Sequence, residues 1–429
     1  MKLSQILQNK TVRNSGWLIG SRIAQMVISL FVTLVVARYL GPSNYGLINY
    51  ASSYTAFFTA FCTLGINSLL VKEFVDRPDD EGMVIGTTLV LQAISSFLSA
   101  ITIVAIVSVV DRGEKTTILV VLLCSLGLVF HIFNVFNYWF QRHLKAKYTA
   151  IATFIAYTLT AGYRVVLVFS GKSVAWFALA TSVDYVCVAI ILVWYYKKHH
   201  GQRMRFSWKY GKELLSRSKY FILSSIMVAV YAQTDKLMLK QMLGLEETGF
   251  YSTASAINTM WCFVLSALID SMRPSVLEAY KDGDEELFKR KNRQMYALVF
   301  YISVGVAILF NIFAELVIYI LYGKAYIPAA LPLRIVSWYT AFSYLGTARS
   351  TWIVSKNLQR HIITISAAAA IANVGLNYFL IPVWGAGGAA FASLAAQIMT
   401  GFFLPFFIKD LRENAVLMLD AIMLKGVFK

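Results

Sequence analysis

The sequence predicts an all-α, polytopic membrane protein: twelve transmembrane helices in two six-helix lobes related by a parallel internal repeat, with both termini cytoplasmic. Three observations point there. The 429 residues are 58% hydrophobic and only 14% charged, with a mean hydropathy of +0.63, whereas about a quarter of the residues in a soluble domain are charged. The charges gather in short runs between long apolar stretches. Two parts of the chain also match one another at nearly constant offsets. Seven prolines and 25 glycines exclude disorder and fibrous repeats. Cys62, Cys124, Cys187 and Cys262 stand singly in apolar segments and form neither a disulfide framework nor a metal-ligand spacing.

Each span follows from helix geometry: at about 1.5 Å per residue, a hydrocarbon core of about 30 Å takes about 20 residues. The first span, 15–37, follows Lys2, Lys10 and Arg13, and is longer than a signal-peptide core with no small-x-small site after it. The second is 45–71. A charge-free run of 29 residues at 82–110 holds the third, 84–110, and one of 26 at 116–141 holds the fourth, 117–140. Spans 148–170 and 174–196 complete the first lobe, 1–196. A basic linker, 197–219, leads to the second lobe, 220–408, with spans 220–243, 249–271, 295–321 and 331–354. A charge-free run of 48 residues, 361–408, is too long for one crossing. Pro382, Gly385, Gly387 and Gly388 divide it into 361–381 and 387–408. The segment Lys281 to Arg293 reads as a charged helix on the membrane surface. The tail, 409–429, holds an apolar stretch from Ala415 to Leu424 that is too short to span and reads as an interfacial helix.

Lysine and arginine fix the orientation, because the excess collects on the cytoplasmic side. Placing both termini with every second loop gives that side 28 of the 39 basic residues, against 11 on the other side or within spans. The net charge of +17 is thereby explained by topology and anionic headgroups, and a nucleic-acid partner is not needed. The repeat is read from Leu40-Gly41, Gly46 and Ala51-Ser52, which match Leu243-Gly244, Gly249 and Ala254-Ser255 at an offset of 203. Gly171, Ala175, Phe177 and Ala178 match Gly385, Ala389, Phe391 and Ala392 at 214. An even number of spans per copy makes both enter the membrane in the same sense, a usual transporter architecture.

An ionisable group inside hydrocarbon needs a cavity, a partner or the interface, so intramembrane charge is the strongest functional signal. Arg22, Arg164, Lys236 and Arg349 are the candidate substrate-binding cations of a positively lined passage. Asp184, Asp235 and Glu315 are the candidate proton-coupling acids. Arg164 and Asp184 flank one hairpin at similar depth and read equally well as a structural ion pair. Asp235 and Lys236, adjacent and therefore about 100° apart on a helix, cannot share one partner. Arg334 and Arg38 suit snorkelling to headgroups, and Asp270 with Arg273 suits a helix-end pair. At offset 214, Arg164 and Asp184 correspond to Tyr378 and Ile398, an asymmetry that favours function in the first half.

No glycine-rich nucleotide-binding loop is present, and the five histidines show no ligand spacing. No cofactor is implied. Gly82 and Gly86 have the spacing of close helix packing.

The stretch Val36-Ala37-Arg38-Tyr39-Leu40-Gly41-Pro42-Ser43-Asn44-Tyr45-Gly46 resembles the R-x-L-G-P-x-x-Y-G signature of bacterial O-antigen and polysaccharide flippases. Their superfamily also holds multidrug antiporters and the peptidoglycan lipid flippase. Arg38, Gly41, Pro42, Tyr45 and Gly46 carry the motif; Arg22 resembles the family's cavity-lining first-span cation. The resemblance implies a flippase, not an enzyme, that moves undecaprenyl-diphosphate-linked oligosaccharide across the bacterial cytoplasmic (inner) membrane by alternating access. It implies a polysaccharide polymerase and a chain-length regulator as partners. A diphosphate wants cations, which arginine supplies in bidentate fashion. A multidrug antiporter would favour an acidic cavity, and a membrane-embedded glycan polymerase would carry a long outer loop that is absent here.

Overall fold

The computed structural model describes the backbone of residues 10–427 and the side chains from 20 onward apart from residue 22. The described residues are helical with no strand. They form α1 (Lys10–Cys62), α2 (Asn67–Asp76), α3 (Glu81–Val110), α4 (Lys115–His131), α5 (Val135–Arg142), α6 (Ala146–Phe169) and α7 (Val174–Lys198). After these come α8 (Trp208–Leu243), α9 (Leu245–Lys281), α10 (Glu285–Tyr322), α11 (Ala330–Ser355), α12 (Arg360–Gln397), α13 (Leu404–Phe407) and α14 (Lys409–Ile422). Among the described residues, nine segments are long and apolar enough to cross a membrane, so this is a multi-pass membrane protein. Two of them, Ile23–Asp76 and Arg360–Phe407, run to 54 and 48 residues. Each breaks at a glycine outside helical space: Gly41 (φ 71°, ψ 171°) and Gly385 (φ 56°, ψ −134°). Those values cost a side chain strain that glycine avoids.

The chain forms two compact units, one holding the residues up to Leu40 with Leu47–Ala229, the other Gly41–Gly46 with Val230 onward. In the first unit, Ile66, Phe74, Phe136, Trp139, Phe140 and Tyr210 build one apolar cluster. Two carboxylates lie in it. Glu73 is ion-paired with Arg217 at 2.6 Å and accepts from the Tyr210 hydroxyl at 3.0 Å. Glu81 accepts from Trp139 Nε1 at 2.6 Å and faces His143 at 3.0 Å. Both fall between the predicted spans 45–71 and 84–110.

The basic segment after α7 is no free linker. Arg205 N donates to the Gly82 carbonyl at 3.1 Å and Ser207 N to Thr87 Oγ1 at 3.1 Å. Gly82 and Gly86 admit this extended segment, since a Cβ on either would strike the backbone of Arg203 or Arg205. Their spacing thus serves a strand-like stretch and not the helix contact expected.

In the second unit, Met295, Tyr296, Leu345, Trp352, Leu411, Leu417 and Met418 share one cluster. Leu411, Asn414, Ala415, Met418 and Ala421 recur at helical spacing and are buried. Asn414 Nδ2 also donates to the Tyr296 hydroxyl at 2.7 Å. The tail is therefore packed into the unit, where the sequence suggested a helix lying on the membrane. The charged stretch Lys281 to Arg293 likewise differs from expectation, because from Glu285 it is continuous with a 38-residue helix.

The motif residues from Gly41 to Gly46 lie in this unit and meet Leu245 and Gly249 there. A Cβ on Gly46 would strike the Leu245 carbonyl oxygen, and one on Gly249 the Pro42 carbonyl oxygen. Pro42 and Leu245, like Gly46 and Gly249, are 203 residues apart.

Candidate functional site

Inside the apolar helices a buried carboxylate, Asp235, stands on α8. It is 4% exposed. Its Oδ1 accepts from Asn377 Nδ2 at 2.6 Å and Asn373 Nδ2 at 3.0 Å; its Oδ2 accepts from Ser393 Oγ at 2.6 Å and from the Tyr251 hydroxyl. Four donors fill a carboxylate's acceptor sites. Asn373 and Asn377 stand one helical turn apart on the first arm of α12, so both amides share a face. Ser393 comes from the second arm, beyond the break at Gly385, and Tyr251 from α9. The break brings the two arms together at one carboxylate. Glu247 Oε2 holds it there, accepting from Ala386 N at 2.7 Å at the start of the second arm. Asn377 Nδ2 also donates to Asn373 Oδ1 at 3.1 Å, and Asn377 Oδ1 is buried with no hydrogen-bond partner.

This arrangement is a cluster of oxygens from a carboxylate, two amides and two hydroxyls, enclosed within one unit. As drawn, the amides offer N–H to a bare carboxylate; turned over, they would offer carbonyl oxygens to a small cation. Hard oxygen donors of this kind suit hard cations.

The other expected residues are dispersed. Arg22 lies outside the described side chains. Arg164, in the first unit, and Lys236, in the second, are half-buried, and among the described residues neither forms an ion pair. Asp184 is half-buried and accepts from Thr160 Oγ1 at 3.1 Å; no ion pair joins it to Arg164 among the described residues. Arg349 is 4% exposed, and its Nη1 donates at 2.7 Å to the carbonyl of Gly401. Gly401 lies in the π-helical stretch Ile398–Phe403, where a widened turn disturbs the regular ladder. Glu315 is 63% exposed and ion-paired to Arg334 at 3.0 Å. Asp270 and Arg273 pair at 3.3 Å, as expected of a helix end. Of the motif, Arg38 is exposed, while Tyr45 is buried with its ring 6.4 Å from Tyr322 and 6.3 Å from Tyr326.

Sequence reasoning missed Asn373, Asn377, Ser393 and Tyr251. Its filter was charge, and these are neutral. The available signal was the pair of asparagines four apart in a charge-free span, since a buried amide needs a partner as a buried charge does.

The sequence pattern of the family described as "Polysaccharide biosynthesis protein" matches residues 35–331. The chain is 24% identical over 404 residues to the capsular polysaccharide biosynthesis protein CapF of Staphylococcus aureus, covering 93% of this chain and 99% of that protein. Its fold is similar to that of the lipid II flippase MurJ in an inward closed conformation, with a TM-score of 0.74 at 12% identity over 96% of this chain and 91% of that one. It is also similar to an inward-facing multidrug resistance MATE family transporter of the MOP superfamily, with a TM-score of 0.69 at 15% identity, covering 91% of this chain and 95% of that one.

Proposed function

The chain belongs to the polysaccharide biosynthesis protein family, and from that premise we propose that it is a transporter: a flippase for lipid-linked oligosaccharide. It carries undecaprenyl-diphosphate-linked repeat units of O-antigen or a related polysaccharide from the inner to the outer leaflet of the bacterial inner membrane. A polymerase and a chain-length regulator then act on what it delivers.

The observation that carries this reading is the presence of half-buried cations, Arg164 and Lys236, with no ion pair among the described residues. A cation so placed favours an anionic visitor, and a diphosphate headgroup is one. Arg22 joins them through its likeness to the family's first-span cation. Twelve crossings in two six-helix lobes suit the breaks at Gly41 and Gly385, which turn two long helices into pairs, together with the more polar α11. The excess of basic residues assigns both termini to the cytoplasm.

Coupling belongs to Asp235. A cation or proton arriving there neutralises a charge that α8, α9 and both arms of α12 share, so occupancy alters how these helices are held together. Asp184, with Thr160 as its partner, is the second candidate.

The test is translocation of a fluorescent lipid-linked oligosaccharide by proteoliposomes under imposed proton or sodium gradients. Gradient-dependent flipping that Asp235→Asn makes gradient-independent is expected. Wild-type flipping indifferent to both gradients would remove the coupling role, and no flipping of any lipid-linked glycan would remove the function.

A further inference from the structure

After Lys289, Arg290, Lys291 and Arg293, α10 carries no charge until Glu315. Arg293 therefore marks the level at which the helix passes from headgroups into hydrocarbon. At that level α9, α10 and the chain after α14 enclose a cleft of about 340 Å³, the size of a small ligand site. Met272, Ala297, Leu298, Ile302, Leu424 and Val427 line it. Its two polar walls are already engaged: Gln294 Nε2 donates to the Val427 carbonyl at 3.0 Å, and the Tyr301 hydroxyl donates to the Ile422 carbonyl at 2.8 Å. What remains for a ligand is apolar surface.

Beside the cleft stands a cation. Gly426 (φ +64°) lies against the Arg293 guanidinium, where a Cβ would come within 2.7 Å of Nη1. Arg293 Nε is buried with no hydrogen-bond partner, and among the described residues no carboxylate pairs with Arg293. Of the tail's acids, two are committed elsewhere, and Asp420 forms no ion pair with Arg293 among the described residues. Glu413 pairs with Lys289 at 3.0 Å; Asp410 pairs with Arg360 at 2.6 Å and His361 at 3.0 Å. The hydrogen bonds from His361 and Arg360 hold the Asp410 carboxyl below the usual carboxylate range. Lys425, one residue before Gly426, is exposed and adds a second cation.

We propose that this cleft binds a chain of an anionic glycerophospholipid, with the phosphate on Arg293 and Lys425. An apolar slot below an unpaired guanidinium matches the two halves of such a lipid. A zwitterionic headgroup brings its own amine to its phosphate and gains less. The site stands independently of the translocated substrate, and its occupant would fix the tail against α10.

Full-length protein, purified in mild detergent and stripped of lipid, is titrated with phosphatidylglycerol, phosphatidylcholine or a polyprenyl phosphate. Native mass spectrometry counts bound lipid, and Tm is read in parallel. We expect one phosphatidylglycerol to be retained with at least about tenfold preference over phosphatidylcholine, equivalent to about 1.4 kcal/mol, and with a rise in Tm. Arg293→Gln should erase that preference, and Leu298→Trp, at a position 45% exposed, should lower occupancy by every lipid. If Leu298→Trp does not fold, Arg293→Gln alone decides. Equal retention of both phospholipids, an unchanged preference in Arg293→Gln, or stronger retention of the polyprenyl phosphate overturns the proposal.

Discussion

At the scale of single residues, the interior polar groups divide by whether the protein already answers them. Asp235 has four donors, Glu315 has Arg334 and Arg349 has the Gly401 carbonyl. Arg349 can therefore be read in two ways that one variant separates. Arg349→Ala leaves a carbonyl in the π-helical stretch without its donor, at a cost of about 1–3 kcal/mol. A lowered Tm with flipping reduced only in proportion to folded protein marks it as a fastener of that stretch; an unchanged Tm with lost flipping marks it as a substrate ligand. Asn377→Leu removes one donor to Asp235 and buries the carboxylate less well satisfied. A loss of about 1–3 kcal/mol in stability, with weakened gradient dependence of flipping, is the expected outcome.

At the scale of elements, glycine decides where backbones may touch. The reciprocal meeting of Gly46 with Leu245 and of Gly249 with Pro42 leaves no room for a side chain. Gly46→Val should cost at least about 1–3 kcal/mol through overpacking, read as lower yield and Tm of purified protein, whereas a change at the exposed Ser43 should cost little. The tail helix makes a second case. Leu417 and Met418 are nearly buried against the second unit, and truncating a buried leucine or methionine to alanine costs about 2–5 kcal/mol. Met418→Ala should lower Tm clearly while Val416→Ala, at a 43% exposed position, should not. A helix that only rested on the membrane would show no such difference.

At the scale of the whole molecule, the offsets of 203 and 214 read from the sequence separate the two kinds of polar group. At those offsets, Asp235, Tyr251, Asn373, Asn377 and Ser393 correspond to Val32, Ile48, Leu159, Tyr163 and Leu179. No acid stands at those positions, just as Tyr378 and Ile398 stand where Arg164 and Asp184 would recur. A substrate role for the first half and a coupling role for the second predict separable phenotypes. Arg164→Ala should raise the glycolipid concentration needed for half-maximal flipping and leave its dependence on the ion gradient intact; Asp235→Asn should do the reverse. The same effect from both variants would deny the division.

The sequence by itself determined that the chain is helical and crosses the membrane many times, and it foresaw the breaks at Gly41 and Gly385, though not the turn after Cys62, which falls inside the predicted span 45–71. Those properties depend on apolar run length, glycine and charge, which are local along the chain. It also singled out Asp235 as a charge within a predicted span. Only the tertiary structure decided what meets that charge, because Tyr251, Asn373, Asn377 and Ser393 are neutral and reach it across up to 158 residues of chain. It likewise decided that Gly82 and Gly86 receive an extended segment, that the tail is packed and that Arg349 holds a carbonyl. Each of these depends on which surfaces are brought together, and no local pattern encodes that.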